Sequence, residues 1–237
     1  MSDDAAGQGT PQTPLEMLGI LASQQVSVTP MLRHIEMYTS RGLLTMFWHE
    51  PHGDARPVGV VMVGGAMGGT IGPGEGLYAQ WGVALAELGI PSIRLSYRKP
   101  NDMDSCCVDT AAAVQMLVGS GADKVVLMGH SFGGAVAVRV GVGLSEMVAG
   151  VVTFATQSAG CEVASGLQGR PFLLFHGTDD SILPVESSEI VRAMAGTGDL
   201  HIMPGDDHLL YKSHRDLNDI VMPWITNVFS GLESESK

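Results

Sequence analysis

Cysteine is scarce in this sequence: Cys106, Cys107 and Cys161 are the only three in 237 residues. Three thiols, two of them adjacent, cannot build a disulfide framework. With no C-x-x-C and no Cys/His ligand spacing they offer neither a redox motif nor a metal site. They suit a reducing compartment, buried or half-buried. Basic residues are few as well, 13 Lys and Arg against 25 Asp and Glu, for a formal charge of −12. Phosphate backbones are bound by clustered Lys and Arg, so the balance argues against nucleic acid as a partner. No apolar run approaches the ~20 residues that span a bilayer. The opening Met1-Ser-Asp-Asp is acidic and polar, unlike a secretory signal, and a cytoplasmic location is the expectation.

What the chain has in excess is glycine, 31 residues, nearly twice the usual ~7%. There is no G-X-Y period, so these glycines belong at special backbone positions. Hydrophobic residues at 45% and charged residues at 16% exclude intrinsic disorder. The length allows one large domain or two small ones.

Residues 1–25 are rich in Gln, Ser, Thr and Pro and read as a flexible N-terminal extension with one apolar patch around Leu15–Leu21. Leu32–Tyr38 and Leu43–Trp48 alternate with period two around Ser40-Arg41-Gly42, the pattern of an antiparallel hairpin. Continuous apolar runs follow at 58–63, 93–97, 124–128, 150–154 and 172–175, as expected of strands buried on both faces of a parallel sheet. Helical windows at 77–88, 107–118, 132–142 and 185–194 separate them, and a strand at 200–203 and a helix at 217–229 close the series. Alternating strands and helices predict an α/β architecture, a mostly parallel sheet with helices on both faces. The stretch between Phe154 and Pro171 is too short to hold a cap domain. One domain over 26–233 and a polar tail at 234–237 are expected.

The run after Met128, Gly129-His130-Ser131-Phe132-Gly133, is G-x-S-x-G between a strand and a helix. A nucleophilic serine needs a very tight turn that projects its side chain from the sheet edge. The residues two before and two after then come too close for a Cβ, hence Gly129 and Gly133. The following helix N-terminus favours developing negative charge. A serine hydroxyl also needs a histidine to take its proton and an acid to orient that histidine. Two downstream segments leave the ends of successive strands: His176-Gly177-Thr178-Asp179-Asp180 and Pro204-Gly205-Asp206-Asp207-His208. Both reach the edge that carries Ser131, where ligands bind in open α/β sheets.

From about Leu43 to Phe229 the sequence resembles the serine α/β-hydrolase superfamily, especially cap-less members related to dienelactone hydrolases and small esterases. The family's H-G-x-x-D-x-x-[VI]-P segment corresponds to His176–Pro184, and its G-x-x-H loop to Gly205–His208. The resemblance implies Ser131 as nucleophile, Asp180 rather than Asp179 as acid, and His208 as base. Serine stands where dienelactone hydrolase has cysteine, so that substrate is not implied. Among the other histidines, His176 is expected to brace its turn, and the side chain of His130 to point away from the nucleophile.

An oxyanion formed on attack needs preorganised N–H donors. One is expected from Phe132, directly after the nucleophile. The second is expected from the loop after Val58–Val63, where Gly64-Gly65-Ala66 replaces the His-Gly-x common in the family; by position the donor is Ala66, with Met67 the neighbouring choice. That loop lacks G-K-[ST] and carries Glu75, which argues against a phosphate cradle. Met67 and Arg98 are candidate substrate-binding residues, and Arg98 could instead pair with a carboxylate. The expectation is a serine carboxylesterase acting on a small-molecule acyl substrate through an acyl-enzyme, without metal or organic cofactor. Amide or thioester cleavage and acyl transfer are the alternatives with the same residues. A non-catalytic binding protein on the same shell is the alternative of a different class.

Overall fold

The run Val58–Val63 is apolar because it is buried on both sides: it forms strand β4, and all six residues are inaccessible. Val61 and Val63 enter one hydrophobic cluster, Val60 and Met62 another. Strand alternation thus feeds two cores, one on each face of the sheet. The same division runs through Val125 and Leu127 against Val126 and Met128.

The computed structural model describes residues 12–235. Its strands are β1 Ile20–Thr29, β2 Leu32–Thr39, β3 Gly42–His49, β4 Val58–Val63, β5 Ser92–Ser96, β6 Lys124–His130, β7 Val148–Phe154, β8 Phe172–Gly177 and β9 Asp199–Met203. They form one nine-stranded sheet in the order β1-β2-β3-β5-β4-β6-β7-β8-β9. Pairing is antiparallel from β1 to β5 and parallel from β5 onward. The helices are α1 Pro14–Leu18, α2 Leu77–Glu87, α3 Met103–Gly119, α4 Phe132–Gly143, α5 Glu186–Ala195 and α6 His214–Glu235, with a 3-10 turn at Ala164–Leu167. Helices α1, α3, α4 and α5 contribute to the first cluster, α2 and α6 to the second. Among the described residues, no helix is long and apolar enough to cross a membrane.

Two boundaries differ from the sequence reading. The flexible extension was expected to reach residue 25, but Pro14–Leu18 is a helix with a capping box between Thr13 and Glu16. Leu18 is fully buried, and the Leu15 N–H donates to Gln115 at 2.9 Å, docking α1 on α3. Strand β1 follows at once, so the hairpin becomes a three-stranded antiparallel meander. Residues 1–11 lie outside the described residues. At the other end α6 runs through Glu235, past the expected start of the tail at 234; residues 236–237 lie outside the described residues.

Candidate active site

Because β4, β6, β8 and β9 point the same way, their C-terminal ends bring four loops to one edge. The loop after β6 is the tightest. Ser131 has φ 57° and ψ −120°, a conformation that costs a non-glycine residue about 1–3 kcal/mol and persists where the surroundings enforce it. They do so here. A Cβ on Gly129 would lie 2.0 Å from the Gly133 carbonyl oxygen, and one on Gly133 would lie 2.2 Å from that of Gly64. The turn folds onto itself and onto the loop after β4 at once, so neither glycine has room for a side chain. The Ser131 N–H donates to Phe154 O at 2.8 Å, holding the turn to β7.

Helix α4 starts at Phe132, so the Phe132 N–H has no partner within the helix and stands at its positive end. Opposite it, Gly65–Gly68 closes a four-residue turn through Gly68 N–H to Gly65 O at 2.9 Å. Gly65 lies directly against Ser131: a Cβ there would be 3.4 Å from the serine Cβ. Ala66 is half-buried in that turn, and Met67 is 94% exposed at its tip. Several bonds fix this loop from outside. Tyr97 donates to Gly64 O at 3.3 Å, Arg94 to Thr70 O at 3.2 Å, and the Gly74 N–H to Leu209 O at 2.8 Å.

The loop after β8 carries the acid. Asp180 Oδ1 accepts from the N–H groups of Ile182 at 2.8 Å and Leu183 at 2.9 Å, and Oδ2 accepts from His208 Nδ1 at 2.7 Å. Its side chain is fully buried. Burial pushes the carboxyl up, but the Leu183, His208 and Ile182 hydrogen bonds outweigh it and hold the group below its ordinary value. Asp179 is exposed and accepts from the Thr178 hydroxyl. The geometry therefore brings Asp180, not Asp179, to His208. His176 braces this loop as expected. Its Nε2 donates to Leu183 O at 3.0 Å and lies 3.2 Å from Asp180 Oδ2, while Nδ1 meets the Ser188 hydroxyl at 2.6 Å.

The loop after β9 carries His208, whose donation through Nδ1 leaves Nε2 with a free lone pair. Buried Asp206 shapes that loop by accepting from the N–H groups of Asp207, Lys212 and Ser213. Gly177 lets it approach β8, since a Cβ there would sit 2.3 Å from Asp206 O.

His130 departs from the sequence reading. Its ring does not turn away: Nε2 donates to the His208 carbonyl at 2.8 Å, and the two ring centroids lie 5.0 Å apart. Burial, opposed by that hydrogen bond, pushes its pKa down to about 4, so it sits neutral and ties the His208 backbone to β6. Strand alternation carried this signal, because Val126 and Met128 place His130 on the face where the β9 loop packs. Arg98 departs as well. Its guanidinium is buried against Asp109 and reaches Leu18 O at 3.2 Å, and its N–H also donates to Asp109. The cation is consumed inside the fold, on the α1–α3 side, and the structure does not bring it to Ser131.

This is the α/β-hydrolase fold, in a form without a large cap. No protein-family model matches the sequence, and no curated protein sequence matches it. The likeness lies in structure. Est1E from Butyrivibrio proteoclasticus superposes with a TM-score of 0.69 at 15% identity, covering 83% of this chain and 99% of that one. Dienelactone hydrolase from Anabaena variabilis gives 0.69 at 16% identity over 86% and 98%. XC6422 from Xanthomonas campestris, described as an α/β serine hydrolase without lid, gives 0.65 at 17% identity over 84% and 95%.

Proposed function

We propose that this protein is a serine hydrolase, acting as a carboxylesterase on small esters. The observation that carries the reading is the buried Asp180–His208 hydrogen bond at the sheet edge that holds the strained Ser131 turn. Ser131 attacks the ester carbonyl as His208 Nε2 takes its proton, and Asp180 fixes the tautomer and stabilises the imidazolium. The N–H groups of Phe132 and Ala66 receive the oxyanion, each worth about 3 kcal/mol in the transition state. The imidazolium then protonates the departing alcohol. Water, activated by the same histidine, attacks the acyl-enzyme and restores Ser131. Structural neighbours named as carboxylesterases and as a dienelactone hydrolase support ester chemistry. Without a large cap the site is open, which favours small substrates.

The test is turnover of short p-nitrophenyl esters beside the matching p-nitroanilides, with Ser131→Ala as control. Ester turnover that disappears in Ser131→Ala, with little anilide cleavage, is the expected result. No Ser131-dependent turnover of esters would contradict the proposal, and faster anilide cleavage would move it to the amidases.

A further inference from the structure

The two ends of the sheet are unlike. Strand β9 is a five-residue edge carrying Asp199 and His201, short and charged as natural edges usually are. Strand β1 is ten residues long, and every one of them is exposed. Among the described residues it pairs with β2 alone and ends the sheet. In an antiparallel strand, alternate residues direct both N–H and C=O to the same side, so half of the β1 backbone groups face away from β2. Neither Lys, Arg, Asp, Glu nor Pro interrupts Ile20–Thr29, and no charge occurs between Met17 and Leu32 in a chain of net charge −12. The guards that natural edges rely on are reduced to two register shifts, at Ile20/Ala22 and Ser27/Thr29, leaving Ala22–Ser27 regular.

The side chains leave that edge clear. Gln24 is held inward by Glu36 and Tyr38, and Gln25 by Arg33 at 3.0 Å. Leu21, Val26 and Val28 are 74%, 58% and 54% exposed.

We propose that β1 pairs antiparallel with β1 of a second copy, joining two sheets across a two-fold axis at Gln25. An antiparallel edge is complementary to itself, which is what a two-fold contact requires. With the axis at Gln25, Gln25 faces Gln25 of the copy, Gln24 faces Val26, and Ser23 faces Ser27, each pair sharing one face of the joined sheet; none is charged. Charge selects the same place. Two chains of −12 repel, and β1 is the backbone edge that meets its copy without opposing carboxylates. Salt should therefore strengthen the dimer by screening the remaining acidic surface, the reverse of a contact built on opposite charges.

Sedimentation of the full chain across the micromolar range, at low and moderate salt, tests this. The sedimenting mass should double with concentration, at lower protein concentration in higher salt, and amide exchange in β1 should slow as the dimer forms. Val26→Lys and Gln25→Lys each put like charges near the axis and should halve the mass and remove the concentration dependence of the melting temperature, with unchanged ester turnover. A monomer at every concentration would overturn the proposal, as would a dimer that leaves β1 exchange fast, that weakens with salt, or that ignores both lysine substitutions.

Discussion

Asp180 Oδ2 lies 2.7 Å from His208 Nδ1, and the carboxylate's other oxygen is occupied by the N–H groups of Ile182 and Leu183. The acid is thus held by its own loop before it meets the histidine. Asp180→Asn keeps the shape but disfavours the tautomer that leaves Nε2 free. It should lower kcat on esters by roughly two to four orders of magnitude. Asp179→Asn should leave kcat within a few-fold of wild type. Steady-state kinetics of the two variants measure the difference, and the reverse ranking would move the acid to Asp179.

His130 should act through the position of His208 and through pH. Burial takes its pKa down to about 4, against an ordinary ~6.5 when the chain unfolds. Between those values the unfolded chain binds a proton that the folded chain does not. Its contribution to stability is therefore present above about pH 6.5 and lost as pH falls toward 4. His49, pushed down to about 4 by burial and by Arg94, adds a loss in the same window. Melting temperatures of His130→Phe should fall less steeply between about pH 7 and 5 than those of wild type. Its kcat should drop about tenfold or more as the His208 loop loosens.

Arg98 should prove structural. Arg98→Ala leaves Asp109 charged and buried without its partner, a change that costs about 3–5 kcal/mol in comparable cases. Burial already pushes the Asp109 carboxyl up, and its bonds to Arg98 oppose that rise. The melting temperature should fall sharply, while the preference between a neutral ester and its carboxylate-bearing analogue stays as in wild type. Replacing both residues with apolar ones should recover much of the loss. A shift in substrate charge preference would return Arg98 to the site.

The turn glycines give a paired test within α4. Gly133→Ala drives a Cβ into the Gly64 carbonyl and should abolish ester turnover or folding. Gly143→Ala meets nothing within 4 Å and should stabilise the helix by roughly 0.5–1 kcal/mol. Thermal melts and ester turnover of the two variants separate the crowding at the turn from helix propensity.

How much of this was legible depended on where each signal lay. Strands β4, β6 and β8 read clearly because burial on both faces made them continuously apolar. Strand β1 did not, because every residue of Ile20–Thr29 is exposed, so no buried face imposes a period of two on its sequence, and it takes its conformation from the edge that β2 offers. The Ser131 turn is written locally, in glycines spaced for a backbone that folds on itself. Asp179 and Asp180 are adjacent and chemically alike, and family resemblance chose between them; in the structure the difference is which carboxylate bonds His208. His130 and Asp206 were missed in their structural roles because their partners are backbone groups of the β9 loop, distant from or invisible to a motif. Arg98 stood at the right sheet edge, but its partner Asp109 lies nearly two turns into α3.

The most direct measurement is the intact mass of the protein after reaction with a fluorophosphonate, for wild type and Ser131→Ala side by side. The account predicts a single added phosphonyl group on wild type, mapped to the peptide containing Ser131, and none on Ser131→Ala. A wild-type protein that stays unlabelled while folded, or equal labelling of Ser131→Ala, would contradict it.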